Sequence, residues 1–207
     1  MNPLFHWINC GHSIAMDIFK KIDWVGPLAI RLYLFPIFLM AGMNKLNNFS
    51  DIVSWFEYGL GLPLPTLMAF LATAAEVVGA WCLLFGVGVR YMAVPLTITM
   101  IVAATTVHLE YGWQSVADPN GLFVNERVAA SAEKLERARA ILQEHGNYDW
   151  LTSSGKFVVL NNGIEWAITY LIMCLSLMAT GAGRWVSVDY WVKEKIWPGL
   201  MAKHSTQ

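Results

Sequence analysis

Four runs of about 20 residues, almost free of charge, decide what this chain can fold into, because a helix of that length crosses the hydrocarbon of a bilayer. They lie at about Gly26–Leu46, Thr66–Phe85, Tyr91–Leu109 and Gly163–Ala182. The ionisable side chains inside them are Arg31 and Lys45 in the first, Glu76 in the second, His108 in the third and Glu165 in the fourth. Pro36 and Pro95 fall inside two of the runs, which membrane helices tolerate when neighbours satisfy the freed carbonyls. Hydrophobic residues make up 56% of the 207 and charged ones 14%, against about 45–50% and 25% in soluble domains. So few charges cannot wet an ordinary surface. The expected fold is an all-α integral membrane protein, a four-transmembrane-helix bundle forming a single membrane domain over residues 1–207.

The connections complete that frame. The second and third spans are joined by little more than Gly86–Arg90, a tight hairpin. Between the first two, Trp55, Phe56 and Tyr58 suit a membrane interface. Residues 110–162 form a long outer loop, in which Val128, Leu135 and Leu142 recur at heptad spacing within Asn125–His145. That pattern predicts an amphipathic helix, whose charges read as a solvated face. Residues 1–25 carry no basic leader, and Asn9, His12, Asp17, Lys20 and Lys21 break any apolar core. A cleaved signal is not expected there. Ile14, Ile18 and Ile22 predict instead an interfacial N-terminal helix. Lys20, Lys21, Arg90, Arg184, Lys193, Lys195 and Lys203 gather near the ends and the hairpin. The positive-inside rule then puts both termini in the cytoplasm and the long loop outside a bacterial inner membrane.

Ionisable groups inside a membrane are costly and normally face a partner or a cavity. At about 100° per residue, Arg31, Phe38, Gly42 and Lys45 share one stripe of the first span. Glu165, Thr169 and Ser176 share one in the fourth, and Thr97, Ala104 and His108 align in the third. Ala69, Ala72, Thr73, Gly79 and Ala80 surround Glu76 with small residues that permit close helix approach. At about 1.5 Å rise per residue, Lys45, His108 and Glu165 fall at matching depths, roughly 10–15 Å outward of their span midpoints. Glu76 sits near the midplane, with Arg31 reaching it from the inner side. These groups read either as structural pairs that fix helix register or as a proton-linked or anion-binding site open to the outside. In the second reading His108, Glu76 and Glu165 act in proton transfer, Lys45 and Arg31 bind substrate, and Arg90 is a structural charge.

Weaker signals are set aside here. Three cysteines without a CxxC pair give neither a disulfide framework nor a dithiol motif. Cys82 and Cys174 lie within spans, as small hydrophobes do, and Cys10 reads as an inert interfacial thiol. His108-Leu-Glu110 supplies only two donors of the three or four a metal site needs, so no metal site is expected. Met40 and Met43 are thioethers of the kind that favour Cu(I), though methionine more often packs. A formal charge of -1 leaves no basic footprint for nucleic acid.

Arg31 with Lys45-Leu46, GLPLP at Gly61–Pro65, AAEVVGAWCLLFGVGVR from Ala74 to Arg90, and a third span ending in His108 together resemble the DoxX family. The resemblance covers about Gly26–His108 and implies a small four-helix membrane protein associated with redox chemistry. Relatives include a membrane subunit linked to thiosulfate:quinone oxidoreduction and a membrane partner in oxidative-stress thiol systems. The outer loop and HGNYDWLTSSGKFVVLNNGIEW are similar to a subgroup that accompanies the maturation of copper-binding modified peptides. The family pattern supports Arg31, Lys45, Glu76, Arg90 and His108, whereas Glu165 rests on its position alone. Without paired cysteines, thiol chemistry does not carry over.

The expected function is therefore that of a redox- or quinone-linked inner-membrane subunit. A non-catalytic anchor or maturation factor acting through the outer loop is the rival reading. Transport of a small solute or metal is a third. Quinone is the cofactor class implied, with copper behind it. Membrane lipids and either a protein partner or a second copy are the expected partners.

Overall fold

The computed structural model describes residues 12, 13 and 15–196. The described residues up to Thr99 and from Ile172 onward form one compact unit, and Met100–Leu171 form another.

In the first unit, α1 (Val25–Asn47) follows a helical stretch over residues 15–21. Its buried residues, Pro27, Arg31, Leu34, Phe38 and Gly42, recur at three and four and so trace one face. Beyond α1 come a short helix, Phe49–Ser54, and a π turn, Trp55–Gly59. A sharp corner follows: Leu64 takes the left-handed conformation at φ 52°, and Pro65 opens α2 (Pro65–Phe85). Proline suits that first position, where its missing N–H would have had no partner in the helix. α2 buries Ala69, Thr73, Glu76, Gly79, Ala80 and Leu83, again one face, and it ends at Gly86 with φ 69°.

α1 and α2 pack antiparallel, Arg31 lying against the end of α2 and Gly42 against its middle. A β-carbon on Gly42 would stand 2.7 Å from Val77 Cγ2 and 3.0 Å from the Val77 nitrogen. Only glycine lets the helices come this close. α3 (Val89–Val102) returns after the hairpin, and Gly79 gives Leu96 its room against α2.

The second unit takes in the end of α3, which widens into a π turn at Ala103–His108 and tightens into a 3-10 turn at Leu109–Tyr111. A helical turn at Glu126–Ala129 leads to α4 (Ser131–His145). The Asn125 side chain caps that turn by accepting the Val128 N–H at 2.9 Å. Val128 is buried, and Leu135 and Leu142 are half-buried where most of α4 is exposed. The heptad stripe is thus the covered side. Residues 112–117 lie antiparallel to 159–165 through backbone hydrogen bonds and an isolated bridge, Val116 to Leu160. That lash leads directly into α5 (Glu165–Thr180). No strand forms among the described residues.

Among the described residues three helices are long and apolar enough to cross a membrane: Ala15–Asn47, Pro65–Phe85 and Val89–Tyr111. Their outward residues, among them Leu32, Met40, Phe70, Trp81 and Ile98, are exposed, as lipid contact requires. α5 is apolar as well, but with 16 residues it falls short of the roughly 20 a span needs. At its start the Glu165 carboxylate accepts the Ser115 N–H, and the N–H groups of residues 163–165 bond to the carbonyls of residues 112–114. The protein is an all-α membrane protein. The expected interfacial helix over 1–25 lies partly outside the described residues, as do Cys10 and Lys203.

Candidate functional site

Lys45 and Glu76 form a buried ion pair in the first unit. Lys45 Nζ donates to both carboxylate oxygens, at 2.9 Å to Oε1 and 2.7 Å to Oε2. The Glu76 side chain is 2% exposed and the Lys45 side chain 20%. Side chains on a helix lean toward its N-terminus, so in an antiparallel pair Lys45 and Glu76 lean toward each other. The same lean carries Arg31 away from Glu76, and the expected Arg31–Glu76 pair does not form. Glu76 sits midway along α2, where lipid offers a charge nothing and a cation is the effective partner. Gly42, one turn before Lys45, makes the approach close enough for a two-pronged contact.

Arg31 is fully buried and serves backbone instead. Its Nε donates to the Leu83 carbonyl at 2.7 Å and its Nη2 to the Leu84 carbonyl at 2.9 Å. Its Nη1 donates to the carbonyls of Ala182 at 2.7 Å and Val186 at 3.3 Å. The last carbonyls of a helix lack partners within it and carry partial negative charge. A guanidinium fork therefore caps α2 and ties it to the chain that follows α5. Asp189 closes the same end from the other side, accepting the N–H of Gly88 at 2.6 Å and of Val89 at 3.0 Å at the start of α3. Arg90 is exposed and faces a cavity beside Gly181.

His108 and Glu165 lie in the second unit, while Lys45 and Glu76 lie in the first. His108 Nδ1 is 2.8 Å from the Asn162 carbonyl. A carbonyl only accepts, so Nδ1 carries a proton, which leaves Nε2 as the ring nitrogen open to exchange. Among the described residues nothing engages that nitrogen. The ring closes the π turn Ala103–His108, a rare geometry that recurs at functional sites. There the Thr105 and Thr106 hydroxyls take up the carbonyls of Ile101 and Val102, at 2.8 and 2.7 Å. Glu165 accepts the Ser115 N–H at 3.0 Å.

The lash that positions His108 and Glu165 depends on residues that composition did not single out. Asn161, 2% exposed, donates to the carbonyls of Tyr111 and Gln114 and accepts from Arg127 Nε at 3.0 Å. Arg127 also lies over the Tyr111 ring, 4.6 Å from its centre. A β-carbon on Gly163 would meet the Gly112 and Trp113 carbonyls at 2.6 Å. Loop Asn and Gly residues are common, and only the closeness of the two loop ends in space marks these out. Cys174 is buried and Cys82 half-buried, both as free thiols. Met40 and Met43 are exposed.

Residues 26–109 match the family model described as DoxX. A curated relative from Bacillus subtilis (strain 168), named "Putative oxidoreductase CatD", is 29% identical over 86 residues, which cover 42% of this chain and 62% of that protein. The chain thus spans less than two thirds of that relative's length. No solved structure matches. The matched stretch contains Arg31, the Lys45–Glu76 pair, Arg90 and His108, and over these residues the chain is similar to the DoxX family.

Proposed function

We propose that this chain is a membrane subunit of a redox reaction with quinone as its substrate class, and that its own part is to hold and move protons. The observation that carries this reading is the contact of His108 Nδ1 with the Asn162 carbonyl, which leaves Nε2 as the nitrogen open to proton exchange. A quinol gives up its hydroxyl protons on oxidation, and an imidazole nitrogen with its lone pair free accepts a proton near neutrality. The name of the Bacillus subtilis relative supports the redox class. Glu165 is a further proton-bearing group of the same unit, and in the first unit Glu76, paired with Lys45, is another. Arg31, its donors taken by carbonyls, acts as architecture. α5 serves as the fourth span, in an inner membrane with both termini cytoplasmic.

The test is His108→Ala, with the protein purified in mild detergent and its extracted small molecules identified. Quinone should accompany the unaltered protein and be lost from the variant, together with function in a deletion strain, while thermal unfolding and insertion stay close to the original. A variant that folds, keeps its quinone and complements fully would remove the catalytic reading.

A second reading has its own observation. In the outer loop Leu122 is 79% exposed and Phe123 and Trp150 71% each, as a surface meeting a partner or a membrane would be. In that case the chain is an assembly or maturation factor, in keeping with the copper-binding-peptide subgroup. His108→Ala would then be tolerated, and polar replacement of Leu122 and Phe123 would not.

A further inference from the structure

At the hairpin end of the first unit lies a cavity of about 870 Å³ whose lining includes Asp23, Arg90, Arg184, Asp189 and Lys193. The charges do not balance inside it. Both Asp189 oxygens are held by the Gly88 and Val89 N–H groups, and Asp23 pairs with Arg184 at 3.5 Å. Arg90 and Lys193 have no hydrogen-bond or ion-pair partner among the described residues. Their surroundings are nevertheless fixed. Gly181, at φ 81°, leaves space that a β-carbon would take from Arg90 Nε at 2.9 Å. The next carbonyl, Ala182, is held by Arg31. Tyr91 and Tyr190 add rings to the wall. Trp24 and Trp185, next in sequence to Asp23 and Arg184, pack at 6.3 Å. Such aromatic groups favour the boundary between lipid and water.

We infer that this cavity binds a phosphate-bearing anion through Arg90 and Lys193. A guanidinium fork and an ammonium together suit the several oxygens of a phosphate. The volume lies within the roughly 300–1,000 Å³ of small-molecule sites, well beyond what a lone carboxylate fills. A lipid headgroup and a soluble phosphate share this chemistry. The inference does not depend on the redox reading, since none of these residues lies near His108 in sequence or in its unit.

The experiment uses the full chain in nanodiscs of phosphatidylcholine, with and without phosphatidylglycerol, and separately in detergent with inorganic phosphate. Thermal unfolding and native mass spectrometry are the readouts. Each cation near a charged surface is worth about fivefold in binding, so Arg90→Gln with Lys193→Gln should weaken it about 30-fold. Arg137→Gln, in the exposed face of α4, should leave it unchanged. Retention of phosphatidylglycerol identifies a headgroup site, and a shift with inorganic phosphate alone identifies a soluble ligand. On the unaltered protein, salt near 1 M, where screening acts within about 3 Å, should displace the anion. Binding of neither probe, binding indifferent to salt, or equal binding by the double variant would overturn the inference.

Discussion

A carboxylate halfway along a membrane helix is tolerable only with its counter-charge in place, and for Glu76 that counter-charge is Lys45. Removing one member leaves the other buried and uncompensated, at a cost of roughly 3–5 kcal/mol. Glu76→Gln and Lys45→Met should each lower stability on that scale, and the double substitution should recover part of the loss. The same cycle run with Arg31→Met and Glu76→Gln should be additive, because the two do not touch. Thermal unfolding in detergent measures both cycles. Coupling between Arg31 and Glu76 of the size found for Lys45 would contradict this pairing. The small-residue setting of Glu76 was legible in the sequence, but its partner was not. At the level of Cα, Lys45 stands well above Glu76 and Arg31 below it. The lean of each side chain toward its own helix start spans the gap for Lys45 and widens it for Arg31. The clamp of Arg31 is hidden from the sequence for a similar reason: two of its acceptors, at 182 and 186, lie far along the chain, and a backbone carbonyl leaves no signature in a sequence.

The α1–α2 pair depends on a contact with no slack. Gly42→Ala would put a methyl 2.7 Å from Val77 Cγ2 and 3.0 Å from backbone nitrogen. Overpacking of this kind costs about 1–3 kcal/mol, and here it also pushes Lys45 off Glu76. The expected result is a lower unfolding temperature in Gly42→Ala and a smaller additional loss when Lys45→Met is placed in the same chain, because the pair is already strained. Full additivity of the two would show that Gly42 and Lys45 act separately. The three long helices were readable from their apolar runs, since length and charge-free composition are what a bilayer demands. α5 is two residues shorter at each end than the apolar run Gly163–Ala182. Its apolar run continues back to Gly163, and only the backbone bonds from residues 163–165 to 112–114 reveal that this turn belongs to the lash.

For the molecule as a whole, the proposed four-span topology places Ser153 and the C-terminal end on opposite sides of the membrane. Reporter fusions at the two points should therefore give opposite signals. Equal signals would mean that α5, with its 16 residues, does not cross. The contrast between well-read spans and poorly read loop has a physical origin. Lipid imposes a uniform requirement on every residue of a span. The loop instead answers to a few specific bonds, such as those of Asn161 with Tyr111, Gln114 and Arg127, and any polar residue could have occupied those positions. The Arg31 clamp also bears on the order in which the protein is made. Arg31, Leu83 and Leu84 leave the ribosome long before Ala182 and Val186, so during synthesis the guanidinium spends most of its time with only half of its acceptors available. The first two helices must therefore enter the insertion machinery with a charged donor still seeking partners, and the knot tightens only when nearly all of the described chain has emerged. The contacts of Arg31 with the Ala182 and Val186 carbonyls can thus form only late in synthesis.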